Sequence, residues 1–292
     1  MTKLALVMVH GRAQGQKDPA ALEKEWIVAL KKGLGEAHAS VLDGVEIRFP
    51  FYGKKLDDLA AGLEEEAPSD LQAKGDASGA DQDFLRFEQA ILERALEQQG
   101  IARERQAELI SKGVQPKGPG SWEWVQELLR LLDNIPGLSS AALAIVLRDV
   151  FVYLNYSKIT KAIDDIVAPS LTENCVIIAH SLGTVITYKL LKAAKVAPTV
   201  PQLLTLGSPL GVSPIRQAVM PLKFPKGVGA WNNMFDERDV VALYPLDKAR
   251  FGVVPPIVND DTIKNETENH HGIVEYLNKA VVAALVHKAL TA

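Results

Sequence analysis

The 292-residue chain lacks a second cysteine, so Cys175 can form no intramolecular disulfide and is compatible with a reducing compartment, where packing is its expected role. No block of Lys and Arg is present. The 32 basic residues are interspersed with 36 acidic ones for a net charge of -4, which removes the electrostatic case for a nucleic-acid partner. Uncharged apolar runs of about 18 residues are missing, and with them any sequence signal for a membrane span. A His-Glu-x-x-His motif and paired cysteines are also missing, which argues against a metal enzyme. The acidic loop Asn259 to Glu268 lacks the alternating oxygens of a calcium site, so neither a metal nor a cofactor is expected. The apolar Leu4 to Val9 run lacks the length and the small-residue cleavage site of a signal peptide. It reads as part of the fold, and the expected location is the cytoplasm.

What remains is an ordinary globular composition, 47% hydrophobic and 23% charged, long enough to bury a large core. Leu4 to Val9 reads as a buried strand ending at His10-Gly11. Asp18-Pro19 then starts a helix over Ala20 to Leu34, and Val45 to Phe49 is a second strand. This alternation is the signature of a parallel sheet covered on both faces. From Gly53 to Tyr156 strand signals are scarce. Asp83 to Ile110, Trp122 to Leu132 and Leu138 to Leu154 have helical periodicity, with Pro68 to Asp81 a polar loop and Lys112 to Gly120 a linker. The sheet resumes at Val176 and continues through Gln202 to Leu206 and Ala230 to Phe235. Gly252 to Val258 is expected as an edge strand interrupted by Pro255 and Pro256, and Gly272 to Ala289 as a closing helix. The chain thus divides into a core of 1–52 and 157–292 and a helical insertion of 53–156. The insertion is expected either to pack as a plain subdomain or to act as a cap, lid or membrane-interface element.

The most informative stretch is Cys175-Val-Ile-Ile-Ala-His-Ser181-Leu-Gly-Thr. Small-x-Ser-x-Gly arises by chance in a chain of this length with probability of roughly 0.2, so its surroundings decide. Val176 to Ile178 is a β-branched run suited to a strand buried on both faces, and Leu182 to Lys195 reads as a helix. Strand, tight turn and helix in that order hold a serine Oγ out of the sheet, as a nucleophile elbow requires. An alcohol needs a base, and the base needs an acid to fix its tautomer. His271 and His270 lie in a polar loop just before the terminal helix, where the base belongs. His271 is preferred because Gly272 leaves its ring room, and His270 is the alternative. Asp239 and Asp236 both follow the Ala230 to Phe235 strand. Asp239 is preferred because Val240 and Val241 re-enter apolar surroundings. The oxyanion donors expected are the backbone N–H groups of Leu182 and Arg12.

Taken together, His10-Gly11, Ala179-His-Ser181-Leu-Gly183, Leu206-Gly-Ser-Pro-Leu210, the Asn232 to Val241 segment and His271 before a terminal helix resemble the α/β-hydrolase superfamily, in particular its lipase-like serine esterases. The resemblance covers roughly 1–52 and 157–292. It implies an α/β-hydrolase fold, a Ser181, Asp239 and His271 triad, and a small-molecule or lipid ester as substrate. Two departures stand out: the usual first two strands are absent, and the helical insertion precedes the nucleophile strand. Acyl transfer and thioester cleavage use the same triad, and a catalytically silent binding module remains a further expectation. Oligomeric state is open.

Overall fold

The computed structural model describes residues 4–11, 14–65, 79–111, 122–171 and 174–292. Six strands form one sheet: β1 (Ala5–Val9), β2 (Glu46–Arg48), β3 (Cys175–His180), β4 (Val200–Leu206), β5 (Val228–Met234) and β6 (Val258–Asp260). All pairings are parallel, in the order β2-β1-β3-β4-β5-β6. The architecture is therefore α/β with helices on both faces. β2 lies on one side of β1 and β3 on the other, so the connections diverge between β1 and β3. In open parallel sheets the crevice at the carboxyl ends of strands at such a reversal is where ligands bind. The strands on either side of it lead into His10-Gly11 and Ser181.

Successive side chains of a strand point to opposite faces, and here both faces are apolar. Leu6, Met8, Val176, Ile178, Leu204 and Leu206 share one buried cluster with α1 (Pro19–His38) and α12 (Ala280–Thr291). Val7, Val9, Ile177 and Ala179 face the opposite way, toward α8 (Leu182–Ala193). Cys175 opens β3, fully buried, and burial pushes its thiol up to about 11, which keeps it protonated.

The helices of 53–156 are α2 (Gly53–Glu65), α3 (Gly79–Gln98), α4 (Arg103–Ser111), α5 (Trp122–Asp133) and α6 (Ser140–Asn155), followed by α7 (Ser157–Val167); the short α9 (Ser213–Ala218) and α10 (Lys248–Phe251) lie beyond β4 and β5. α2, α3, α5, α6 and α7 share a single apolar cluster with the sheet: Leu56, Leu92, Leu128, Leu143 and Ile163 belong to the same buried group as Val7 and Ile177. Polar ties reinforce this seam. Gln98 donates to the Glu237 carbonyl, and the Tyr244 ring lies between the guanidinium groups of Arg94 and Arg250, at 4.7 and 4.2 Å. No helix among the described residues is long and apolar enough to cross a membrane. Most of the Pro68 to Asp81 loop and all of the Lys112 to Gly120 linker lie outside the described residues.

Three elements differ from the sequence expectation. The Asp83 to Ile110 helix is two helices, because Gly100 and Ile101 donate back to Glu97 and Leu96 in the paired bonds that close a helix on a glycine. The last strand is displaced from Gly252–Val258 to Val258–Asp260: Pro255 and Pro256 have no N–H to donate, and pairing with β5 starts only beyond them. The closing helix breaks into α11 (Ile273–Leu277) and α12 at Asn278 and Lys279, where Lys279 is extended and the Asn278 side chain donates to Glu275.

α3 also buries a carboxyl whose Oε2 has no partner among the described residues. This residue, Glu88, is 3% exposed, and burial raises it to about 7. The folded state therefore holds a proton that the unfolded chain releases near pH 4.5, and stability drops as pH rises from there through about 7. Glu88→Gln is expected to match the native protein at pH 4.5 and to exceed it by about 2–3 kcal/mol at pH 8. Denaturant unfolding at the two pH values reads the difference.

Candidate active site

Ser181 joins β3 to α8 with φ 53° and ψ -126°, a left-handed conformation that costs a non-glycine residue about 1–3 kcal/mol. Two backbone contacts hold it there: the Ser181 N–H donates to the Leu206 carbonyl at the end of β4, and the Ser181 carbonyl accepts from Thr184. The motif needs a glycine at 183 because a Cβ there would collide with the carbonyl oxygens of Val9 and His10 as α8 crosses the end of β1. Leu182 is the first residue of α8, so its N–H belongs to the group that helix geometry leaves without an intrahelical acceptor. Arg12, the other expected oxyanion donor, lies outside the described residues.

The structure brings Asp239 and His271 together. The His271 Nδ1–H donates to Asp239 Oδ2 at 2.8 Å, with the carboxylate fully buried. Asp239 Oδ1 accepts from the backbone N–H groups of Val241 and Ala242 at 2.8 and 3.2 Å, and Tyr276 donates to Oδ2 at 2.7 Å. Four donors thus surround this carboxylate. With Nδ1 engaged as donor, neutral His271 carries its lone pair on Nε2, the nitrogen a general base uses. Gly207, at φ 56°, leaves this pair its room: a Cβ there would stand 2.9 Å from Asp239 Oδ2 and 3.0 Å from the His271 ring.

Ser181 and His271 are linked through His180. Its Nε2–H donates to the His271 carbonyl at 2.8 Å, and the two imidazoles lie 4.6 Å apart. Burial, followed by the neighbouring His271, holds His180 well below the ordinary histidine range, so it stays neutral. Ser181 Oγ and His271 Nε2 are both buried and have no hydrogen-bond partner among the described residues. Both atoms are thus shut from solvent, and contacts between such groups often tighten only when a ligand binds.

The alternative residues are committed elsewhere. Burial alone would raise Asp236, but Arg238 and the Asn265 N–H outweigh it and hold the carboxyl below its usual range. His270 turns its Nδ1–H to the Asn265 carbonyl at 2.7 Å. Asp236 and His270 thus shape the loop that carries His271 without joining it. Asn269, buried and at φ 54°, fastens the same loop to the insertion. Its N–H donates to the Gly137 carbonyl, and its side chain exchanges two hydrogen bonds with the Ser139 backbone.

His10 braces the turn at the end of β1. Its Nδ1–H donates to the Gly11 carbonyl at 2.5 Å, its Nε2 accepts from the Tyr52 N–H, and its ring stacks on Tyr52 at 4.0 Å. Burial lowers it to about 4, leaving it neutral. His287 packs on His38 at 4.3 Å, remote from this chemistry. No group of three or more His, Cys, Asp or Glu that could hold a metal occurs among the described residues.

No family model, curated protein or solved structure matches this chain. The side-chain geometry therefore carries the functional reading. Motif logic leaves position 180 free and places Tyr276 inside an unbroken helix, so it misses the contacts of His180 and Tyr276. Gly207 is legible as a glycine closing a strand, although its duty toward His271 is not.

Proposed function

We propose that this protein is a serine hydrolase of the α/β-hydrolase type that cleaves carboxylic esters through an acyl-enzyme. The observation that carries the reading is the buried Asp239 to His271 hydrogen bond at the same sheet edge as a serine held in a left-handed elbow. His271 Nε2 takes the Ser181 proton as Oγ bonds to the ester carbonyl carbon, and the same proton then leaves with the alcohol. Water, deprotonated by His271, attacks the acyl carbon; the bond to Ser181 Oγ breaks, Oγ takes the proton back from His271, and the acid is released. Asp239 holds the imidazole in the required tautomer and stabilises its cation. The Leu182 N–H, the first of α8, is the donor offered to the oxyanion. The substrate is a small-molecule or lipid ester, and acyl transfer to another acceptor proceeds through the same intermediate.

A fluorophosphonate probe is expected to label the protein once, on the peptide containing Ser181, and p-nitrophenyl esters are expected to be hydrolysed and to compete with labelling. Folded protein that neither reacts with the probe nor turns over any ester would overturn the proposal.

A further inference from the structure

We propose that Tyr276 is a positioning residue for the Asp239 and His271 pair. This rests on the serine-hydrolase reading for its kinetic consequences, but not for the interaction itself.

Tyr276 lies in α11, five residues beyond His271, and is completely buried. Its hydroxyl is fixed from two sides: it accepts from the Asp236 N–H at 3.1 Å and donates to Asp239 Oδ2 at 2.7 Å. His271 donates to that same Oδ2. A carboxylate oxygen offers two lone-pair directions. With Tyr276 on one, a single direction is left for the imidazole, and the ring is thereby aimed. Val241 and Ala242 hold the other oxygen and prevent the carboxylate from rotating. Burial, then the charge of Asp239, pushes the Tyr276 phenol far above its ordinary value, so it remains a donor wherever an esterase operates. Asp236 joins in through its backbone, while its side chain holds Arg238 and Asn265. The short α11, broken from α12, places a hydroxyl beside the Asp239 carboxylate.

Tyr276→Phe keeps the ring and removes the donor. The ionisable groups set against His271 are Asp239 from the segment after β5, His180 from the end of β3 and, through Asp239, Tyr276 from α11. Losing the positive end of the hydroxyl dipole makes the carboxylate a stronger partner for the imidazolium. The acid limb of the kcat/KM profile should therefore move to higher pH. kcat should fall about ten- to hundred-fold, the range for one hydrogen bond to a charged group, with KM within about two-fold. In an Asp239→Asn background the same change should add almost nothing, because coupled residues are not additive. An unmoved pH profile, or a full additional loss in that background, overturns the proposal.

Nuclear magnetic resonance of the unaltered protein supplies a test that needs neither activity nor a folded variant. A slowly exchanging Tyr276 hydroxyl proton with a through-space contact to the His271 Nδ1 proton is expected, and its absence also overturns the proposal. If that contact is present in a protein without esterase activity, the serine-hydrolase reading fails and the interaction stands.

Discussion

Replacing Ser181 with glycine is expected to abolish ester turnover while stabilising the fold. The loss should be about 10⁶ in kcat, since nucleophile and base act as a unit and removing either costs about as much as removing both. The gain in stability has two sources. Ser181 Oγ is buried with no partner among the described residues, and deleting an unsatisfied hydroxyl recovers part of its desolvation penalty. Alanine and glycine both make that deletion, but only glycine tolerates φ 53° without strain. Against about 1–3 kcal/mol of relieved strain stands about 0.5–1 kcal/mol of extra chain entropy for glycine, so strain relief wins. Ser181→Gly should unfold at a higher denaturant concentration than Ser181→Ala by about 1 kcal/mol, with both inactive. Equal stability of the two variants would mean that the elbow stores no strain, and residual turnover near the native rate would remove Ser181 from the chemistry.

Asp239→Asn should cost about 10⁴ in kcat with little change in fold. The direction follows from the surroundings of the carboxylate. Val241 and Ala242 both present N–H donors to Oδ1, so the asparagine must place its oxygen there and turn its NH₂ toward His271. His271 Nδ1 then has to accept, which moves the ring proton to Nε2. A protonated Nε2 cannot take the proton from Ser181. Fluorophosphonate labelling should slow in parallel, because it requires the same activation. A loss of less than about ten-fold would show that Asp239 is not orienting the base, since a wrong tautomer alone costs far more.

The sheet was readable from the chain because buried parallel strands leave a strong imprint: Leu6 to Val9 and Val176 to Ile178 are apolar on both faces and bounded by turn residues. The elbow was readable for a similar reason, since its constraints are local: a small residue at 183 and a helix beginning at 182. The choice between His270 and His271 depends on contacts that no local pattern encodes. Asn269 is held by Gly137 and Ser139, some 130 residues earlier in the chain, while His180 grips the His271 carbonyl from another strand. Only the first tether joins the insertion to the loop, and only the folded chain shows which imidazole ends beside Asp239. The last strand begins later than its apolar pattern for a local reason: Pro255 and Pro256 lack an N–H, so they displace pairing rather than merely interrupt it. Tyr276 was hidden because a tyrosine on the apolar side of an amphipathic helix reads as packing, and its hydroxyl acquires a role only when Asp239 and Asp236 arrive from the end of β5.

The central strand pair also sets an order of events during synthesis. Ala5 pairs with Cys175, so β1 meets its inner neighbour only after about 170 further residues have been made. At ribosomal rates of about 5–20 residues per second, that is a delay on the order of ten to thirty seconds. For that interval one edge of a wholly apolar strand can be met by no later strand of the sheet, and β2, three residues long, is the only sheet partner already available. Such an edge invites pairing with other nascent chains. The helices made next share the apolar cluster that Val7 and Val9 join, so they can cover one face of β1, although not its hydrogen-bonding edge, before β3 arrives. The helices between β2 and β3 are thus in a position to bury apolar surface of β1 before its inner neighbour has been made.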